Sequence, residues 1–368
     1  MKPLLVDLET AWRGGQNQAL LILKGLKARG HEPELVAANG SALGERAEAA
    51  GIPVHSVRRG FFNLPAAMRV RALASSGGFE LVHANEAHAV TAAWLAGVHR
   101  RVPLIVSRRV GYPIGKSRLA RARYEAAAKI VANSRWTAEQ AAASGAPKEK
   151  LAVVYEGAEI PPRLTAEQRL SARRKWRQPE GAPLLGCVGV LLPDKGQEWL
   201  IRALAEIYDD FPAIRLLLAG DGPSKPQLER LAKELKVDAA VIFAGFVKDV
   251  ESVYAALDLF LLPSFFEALN NSLLAAMAYE VPSIAFERGA LGEIIEHEKS
   301  GLLVPAANTS ALAEAIRSVL REPARAKCFA EEGRRRVEQN FSAERMIEEM
   351  MQVYRSSLSG TAPGKDSR

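Results

Sequence analysis

The stretch LLPSFFEALNNSLLAAMAYEVP, residues 261–282, is the most informative part of this sequence. Its leucines are typical of the end of a buried strand, a Pro-Ser pair breaks that strand, and Glu267 lies in the following loop. We expect a helix to begin between Asn270 and Ser272. Backbone N–H groups at a helix start carry partial positive charge, so the segment predicts an anion site with Glu267 at its entrance. The alternative is an ordinary buried helix that Asn271 or Ser272 caps.

Short apolar runs alternate with helical patterns on both sides of this stretch. They lie at 2–7, 31–39, 52–58, 79–88, 102–109, 128–134 and 151–159, and the pattern starts again at 184–192. This alternation predicts parallel βαβ units, and therefore an α/β fold with two Rossmann-like domains. With 368 residues, of which 48% are hydrophobic, the chain is long enough to form two cores.

Pro161 and Pro162 exclude regular helix and central strand, which is typical of a linker between domains. We therefore expect an N-terminal domain at 1–163 and a C-terminal domain at 164–340. The segment 341–358 has the pattern of an amphipathic helix, and the polar tail 359–368 is expected to be disordered.

Four further motifs accompany the opening stretch in a fixed order. They are GVLLPDKGQEWLIRALA (189–205), LLLAGDGPSKPQLERLA (216–232), VIFAGFVKDVESVYAALDLFLLPS (241–264) and RGALGEIIEHEKSGLLVP (288–305). As an ordered set they resemble the retaining glycosyltransferases of family four. The resemblance implies a GT-B fold, in which a cleft separates an N-terminal acceptor domain from a C-terminal nucleotide-sugar domain. It also implies that the C-terminal helix crosses back to pack on the N-terminal domain.

The resemblance assigns two catalytic roles in the C-terminal domain. Lys195 would neutralise the nucleotide diphosphate, whose negative charge grows as the glycosidic bond breaks, and Glu267 would contact the donor sugar. Further donor contacts are implied at Gly14, Gly15, Gly196, Gly220, Gly222, Phe246, Val247, Leu269, Asn270, Asn271 and Ser272, and Glu293 matches another acidic position of the family. Taken alone, the Lys-Gly and Gly-Gly pairs also fit ordinary turns.

Three positions depart from the family pattern. Val190 stands where an arginine normally shares the diphosphate, and Ala275 stands where a second glutamate binds the ribose. Asn85 replaces a histidine that contacts the donor sugar, and an amide can hydrogen-bond a hydroxyl but cannot titrate near neutral pH. His88, just after the same strand, is a second catalytic candidate or simply a residue at a helix start.

No cofactor or metal is expected beyond the nucleotide-sugar, which is a substrate. Cys187 and Cys328 lie far apart without the spacing of a metal site or a disulfide framework. In the family, retention resembles a front-face displacement in which the leaving phosphate helps to deprotonate the acceptor. Paired carboxylates such as glycosidases use are therefore not expected.

Basic charge is concentrated in the first part of the chain. Residues 1–165 contain 23 Lys and Arg against 13 Asp and Glu, whereas the remainder contains 26 against 29. We assign acceptor or membrane contacts to Arg58, Arg59, Arg108, Arg109, Tyr112, Arg118 and Arg121, with Phe61, Phe62 and Leu64 as apolar neighbours. A basic face with apolar residues suits an anionic membrane or a phosphorylated lipid. A solvated helix face and a nucleic-acid patch are the alternatives, and we expect no nucleic-acid partner.

The sequence thus predicts a metal-independent, hexosyl-type glycosyltransferase that acts on a lipid-linked or lipopolysaccharide-type acceptor of the cell envelope. Asp7 and Glu9 precede any long apolar run, so we expect a cytoplasmic protein, peripheral on the inner face of the membrane. The three departures leave open a catalytically silent member that binds nucleotide-sugar or serves as a scaffold. A nicotinamide-dependent dehydrogenase is disfavoured because the GxGxxG fingerprint is absent.

Overall fold

The structure is a computed structural model that describes residues 1–58, 60, 63–76, 78–115 and 117–359. The chain divides into two compact units. The C-terminal unit is continuous and consists of residues 158–342, and the N-terminal unit combines residues 1–157 with the chain from 343 onward. The division therefore falls after Gly157, earlier than the expected boundary at 163. Of the expected tail, only Ser359 is described, and it belongs to the last helix.

The N-terminal unit contains a seven-stranded parallel sheet with the strand order β3-β2-β1-β4-β5-β6-β7. Its strands are β1 (Pro3–Asp7), β2 (Glu34–Ala38), β3 (Val54–Val57), β4 (Leu81–Ala84), β5 (Leu104–Arg108), β6 (Lys129–Ala132) and β7 (Leu151–Val153). Its connecting helices are α1 (Gly14–Ala28), α2 (Ala42–Ala49), α3 (Leu64–Ser76), α4 (Ala87–Leu95), α5 (Arg118–Glu125) and α6 (Arg135–Ala143). Strands β1, β4 and β5 are buried at every residue, as expected for a parallel sheet with helices on both faces.

The C-terminal unit contains a six-stranded parallel sheet with the order β10-β9-β8-β11-β12-β13. Its strands are β8 (Leu184–Val188), β9 (Arg215–Ala219), β10 (Val241–Gly245), β11 (Leu259–Leu262), β12 (Ser283–Phe286) and β13 (Leu302–Val304). Its helices are α7 (Ala166–Lys175), α8 (Gln197–Ile207), α9 (Lys225–Glu234), α10 (Glu251–Ala256), α11 (Asn271–Ala278), α12 (Leu291–Ile294), α13 (Thr309–Arg321) and α14 (Pro323–Asn340). The predicted pair of Rossmann-like α/β domains is confirmed.

The last helix, α15 (Ala343–Ser359), supplies one wall of the N-terminal core. Met346, Ile347, Met350 and Tyr354 are buried in the same apolar cluster as Leu5 and Ile22. Burying each such side chain is worth about 1.5–3 kcal/mol. The Tyr354 hydroxyl lies 2.6 Å from Nδ1 of His83, and the opposite ring nitrogen lies 2.7 Å from the hydroxyl of Ser107. The helix therefore both fills the core and joins a buried hydrogen-bond chain.

None of the described helices combines the length and the apolar character that crossing a bilayer requires.

Candidate functional site

In each sheet the order of the strands reverses at one point, called the topological switch point. In the N-terminal unit this place lies between β1 and β4, and in the C-terminal unit it lies between β8 and β11. The loops that follow two such strands diverge and leave a crevice at the carboxyl edge of the sheet, where open α/β folds bind ligands. The candidate residues of the sequence fall in these loops. Asn85 follows β4, Lys195 follows β8 and Glu267 follows β11.

The crevice of the C-terminal unit contains an ion pair. Lys195 ends a short 3-10 turn, and its Nζ donates a hydrogen bond of 2.8 Å to Oε1 of Glu267. The side-chain amide of Asn270 donates to the same oxygen at 3.0 Å. The amide oxygen of Asn270 in turn accepts from the backbone N–H of Leu273 at 2.8 Å. Asn270 is thus the N-terminal cap of α11, and it links the helix start directly to the carboxylate.

The two members of this pair differ in accessibility. The side chain of Lys195 is 27% exposed, whereas that of Glu267 is 7% exposed. An approaching anion therefore meets the ammonium group before it meets the carboxylate. The neighbouring Cys187 thiol stays neutral because burial raises its pKa to about 12. The arrangement presents a cation and a helix start, both of which stabilise phosphate.

Close backbone packing fixes the loops that carry the pair. Gly196 has a φ of 68°, and a Cβ built on it would lie 2.2 Å from the carbonyl oxygen of Pro263. Gly289 has a φ of 56°, and its Cβ would lie 2.1 Å from the carbonyl oxygen of Glu267. That carbonyl also accepts a hydrogen bond of 3.0 Å from the N–H of Ala290. Any side chain at either glycine would push these loops apart, so both positions hold Glu267 in place.

Other residues expected to contact the donor border the same edge of the sheet. Phe246 is 81% exposed in the turn after β10, with Val247 beside it, and Val190 is 49% exposed in the loop after β8. Gly220 and Gly222 pack against the backbone of Gly189 and Leu191. In α11, Asn271 and Ser272 are half-buried in the first turn, Leu269 is buried just before it, and Glu293 lies in α12. Ala275 is half-buried on α11, one turn after Asn271.

Asn85 occupies the crevice of the N-terminal unit but is not available to a sugar in this conformation. It is 2% exposed, and its amide nitrogen donates to Asp7 at 2.7 Å and to the carbonyl of Gly15 at 3.2 Å. Its oxygen accepts from Nη2 of Arg109 at 3.1 Å. Both N–H groups of Asn85 are already used inside the protein, so its expected direct contact with the donor sugar stays a prediction that requires an exchange of these partners.

Arg108 is buried and the side chain of Arg109 is 14% exposed, which corrects their assignment to an exposed membrane surface. Their contact with the acceptor stays a prediction. Arg108 is 8% exposed, donates to the carbonyl of Tyr112 and to the hydroxyl of Tyr124, and stacks over the Tyr124 ring. Arg109 pairs with the buried carboxylate of Glu156 at 3.0 Å. Both arginines end β5 or follow it directly, where a side chain turns into the crevice instead of toward solvent. The basic run alone gave no sign of this.

The remaining basic candidates are at the surface. Arg58, Tyr112, Arg118 and Arg121 are exposed. Arg59, Phe61 and Phe62 lie outside the described residues. Exposed apolar side chains occur in the same part of the chain, with Met68 of α3 at 73% and Leu119 of α5 at 59%. Helix α4 packs against both α3 and α5, so Met68 and Leu119 lie on the two helices on either side of α4.

One group in the described part of the chain could supply metal ligands. Ligand atoms of Glu9, Glu86 and His88 all lie within 4.8 Å of one another. Glu86, however, caps α4 by accepting from the N–H groups of His88 and Ala89, and it also accepts from the N–H of Leu8 after β1. Burial raises the pKa of Glu86, and the helix start already supplies it with positive partial charge. His88 is exposed in the first turn of α4, 4.0 Å from Glu9, and its catalytic role stays a prediction.

The residues that the sequence did not single out are Asp7, Gln16 and Glu156. Asp7 ends β1 and accepts hydrogen bonds from the side chains of Asn85 and Gln16. Its carboxyl has a raised pKa because burial outweighs these hydrogen bonds. The sequence feature that could have identified Asp7 is its place as the one acid at the end of an otherwise apolar strand.

Two family descriptions match the chain, one in each unit. Residues 12–160 match Glycosyltransferase Family 4, and residues 182–322 match Glycosyl transferases group 1.

Curated relatives agree with these families. An uncharacterized glycosyltransferase of Methanocaldococcus jannaschii is 28% identical over 64% of this chain, but the alignment spans only 61% of that relative. D-inositol 3-phosphate glycosyltransferase of Rhodococcus erythropolis is 29% identical over 80% of this chain and 73% of that protein.

A solved structure establishes the fold. The Anabaena protein HepE, determined in complex with UDP, superimposes with a TM-score of 0.85 over 97% of this chain and 100% of that one, at 21% identity. Together with the two parallel sheets, this likeness confirms the expected GT-B fold.

Proposed function

We infer that this chain, whose two units match the Glycosyltransferase Family 4 and Glycosyl transferases group 1 descriptions, transfers a sugar from a nucleotide-sugar donor to an acceptor hydroxyl. The observation that carries the inference is the Lys195–Glu267 pair at the start of α11, in the crevice of the C-terminal sheet. A diphosphate leaving group gains negative charge as the sugar departs. Preorganised positive groups stabilise that charge more than they stabilise the bound donor, which is what lowers the barrier.

In this proposal Glu267 has two tasks. It holds the flexible Lys195 side chain in place before the donor arrives, so less conformational entropy is lost on binding. It also offers a carboxylate acceptor for sugar hydroxyls. The Anabaena protein HepE, which shares the fold, was determined in complex with UDP, and this supports a nucleotide as the ligand of the chain. We propose that the donor sugar is a hexose and that no metal or further cofactor is needed, because a lysine and a helix start replace the cation.

We propose that transfer proceeds with retention. Glu267 already pairs with Lys195 at 2.8 Å, which disfavours its use as a free nucleophile or base. This supports a front-face displacement in which the departing phosphate accepts the proton of the acceptor hydroxyl. The anomeric configuration of the product, followed by NMR, tests this directly, and inversion would contradict it.

We propose a lipid-linked or lipopolysaccharide-type acceptor at an anionic cytoplasmic membrane surface. Support comes from a basic-apolar face, which we define as Leu64, Met68 and Arg71 of α3 with Arg118, Leu119 and Arg121 of α5. All six side chains are exposed on helices that flank α4. Cations near an anionic bilayer are each worth about 1 kcal/mol, and apolar side chains between them can enter the headgroup region.

The proposal is tested with the purified chain, a panel of nucleoside diphosphates and the corresponding nucleotide-sugars. A nucleotide at 100 times its dissociation constant stabilises the fold by about 2.7 kcal/mol, which a thermal melt detects. Transfer or slow hydrolysis of the matching nucleotide-sugar is the expected activity. Binding without transfer to any offered acceptor would favour the catalytically silent alternative. If no nucleotide binds, the proposal is wrong.

A further inference from the structure

We propose that Asp7, Asn85 and Arg109 are positioning residues that fix the Gly14-Gly15 turn at the start of α1. We term these three hydrogen-bonded residues the relay, in the sense of a chain of side-chain contacts. The inference rests on the proposed function, because the turn affects transfer only if it faces the donor. The relay lies at the carboxyl edge of the N-terminal sheet, where β1, β4 and β5 end beside one another.

Asn85 is the centre of the relay. Its two N–H groups serve Asp7 and the carbonyl of Gly15, at 2.7 and 3.2 Å, and its oxygen accepts from Arg109 at 3.1 Å. No carboxylate could take this place, because a carboxylate cannot donate to the Gly15 carbonyl. An amide is therefore the side chain that these three partners require.

Each end of the relay is fixed independently. Asp7 accepts from Nε2 of Gln16 at 3.0 Å and from the N–H of Glu9 at 3.0 Å, so it grips the chain on both sides of the turn. Arg109 donates to Glu156, and Asn133 donates to the same carboxylate oxygen at 3.2 Å. Glu156 and Asn133 follow β7 and β6, so the fixed network extends across most of the sheet edge.

The turn also rests on the relay by packing. A Cβ built on Gly15 would lie 3.5 Å from Cδ of Arg109, which is an ordinary contact distance. The arginine stem therefore lies directly beneath the turn. Because a buried carboxylate or guanidinium without partners is costly, the relay has one arrangement that satisfies all three side chains. That single arrangement sets the position of the Gly15 carbonyl and of the first backbone groups of α1.

A swapped protein separates positioning from folding. In Asp7→Asn combined with Asn85→Asp, charge is conserved, the amide at position 7 can donate to the carboxylate at position 85, and that carboxylate still accepts from Arg109. Oδ2 of Asp7 also accepts from Gln16, so the Gln16 amide must turn over and accept from the new amide at position 7. With that turnover, the donor to the Gly15 carbonyl is the one hydrogen bond that the swap removes. We expect the melting temperature to stay within about 4 °C of the parent, roughly 1 kcal/mol for a unit of this size.

Two measurements then test the turn. Hydrogen exchange of the backbone amides at 14–17 should be up to about tenfold faster in the swapped protein, the scale of one lost hydrogen bond. The kcat for sugar transfer should fall by about 10- to 100-fold, since small misplacements of a site cost that much, while KM for the acceptor changes little. Parent-like exchange and turnover in a folded swapped protein would overturn the proposal and leave the relay a stability feature alone.

Gln18→Met is the matched control. Gln18 is also buried on α1, and it exchanges two hydrogen bonds of 2.9 Å with the backbone of Gly157. Its loss should lower the melting temperature without speeding exchange at 14–17. If the swapped protein does not fold, Arg109→Lys, which keeps the charge and loses the paired donors, should give the same faster exchange.

The exchange measurement needs no substrate. Faster exchange in the swapped protein together with an inactive parent would therefore keep the relay and reject the proposed function. If the parent is active and the swapped protein shows parent-like exchange, the proposed function stands and the relay is rejected.

Discussion

Nζ of Lys195 lies 2.8 Å from Oε1 of Glu267, although 72 positions separate the two residues in the sequence. The pair joins the loop after β8 to the loop after β11, and Asn270 extends it to the start of α11. A partly exposed cation held by a nearly buried anion is an arrangement that an incoming diphosphate can use without reorganising the protein.

Replacing the cation tests its role in transfer. Lys195→Ala should lower kcat by about 10²- to 10³-fold, the range found when one charge-stabilising donor is removed from a site. The fold should survive because the side chain lies in a turn. Lys175→Ala is the matched control, since Lys175 forms an equally short but exposed pair with Asp249 at 2.8 Å. Parent-level turnover of Lys195→Ala would refute the assignment to the diphosphate.

Restoring a glutamate at 275 tests the ribose contact. Ala275 is half-buried on α11, one turn after Asn271, so a longer side chain would start from a partly exposed position. Ala275→Glu should tighten nucleotide binding by up to about tenfold, which corresponds to 1.4 kcal/mol, as measured by calorimetric titration. Ala275→Gln controls for added bulk without charge. Unchanged or weaker binding in well-folded Ala275→Glu counts against the prediction.

The basic-apolar face predicts salt-dependent membrane binding. The protein should sediment with vesicles that contain anionic lipid at low salt, and less at high salt, because surface charges are screened. Exchanging the three arginines of the face, Arg71, Arg118 and Arg121, for Ser should reduce binding strongly, whereas exchanging the exposed Arg174, Arg202 and Arg230 of the C-terminal unit should not. Met68→Ser with Leu119→Ser should weaken the binding that remains at high salt. No binding at low salt would leave a soluble acceptor as the better hypothesis.

Buried His83 predicts an acid-sensitive N-terminal unit. Burial, with a smaller effect from Arg109, lowers its pKa to about 3 in the folded state, whereas the unfolded value is about 6.5. Between these values only the unfolded chain binds the proton, so this part of the stability is complete above pH 6.5 and falls as pH decreases. The loss is about 2 kcal/mol at pH 5.

Denaturant unfolding at pH 7 and pH 5 measures the effect. The neighbouring Tyr354 hydroxyl does not titrate in this range, because burial raises its pKa. His83→Gln keeps a polar group between Tyr354 and Ser107 but cannot take up the proton, so its stability should depend less on pH. Equal pH dependence of the parent and the variant would contradict the assignment.

The strands of both sheets were predictable from the sequence because a strand that is buried on both faces is apolar at nearly every residue. Parallel strands such as β1 and β11 are continuous apolar runs bounded by turns, and the cap at Asn270 is a local feature of the chain. The start of α11 was therefore predictable from a few adjacent residues, although its cap is Asn270 and not Asn271 or Ser272.

The side-chain partners were not predictable in the same way. The sequence does not show whether a basic side chain faces solvent or a buried carboxylate. Arg109 meets Glu156 only because β5, β6 and β7 are neighbours in the sheet, and Asn85 meets Asp7 only because β4 lies beside β1. Such pairs depend on topology, and no local pattern records it. For the same reason the hydrogen bonds of Asn85 to Asp7 and Gly15 were not predictable from the chain around it.

The discontinuity of the N-terminal unit has a consequence for its folding during translation. Met346, Ile347, Met350 and Tyr354 belong to the last helix, yet they fill the core built by the first strand and the first helix. The C-terminal unit is continuous in sequence, so it can fold as it leaves the ribosome. The N-terminal unit, although synthesised first, keeps the apolar face of α1 uncovered until α15 emerges. We expect nascent chains that stop before Ala343 to expose this face and to be the preferred substrates of chaperones.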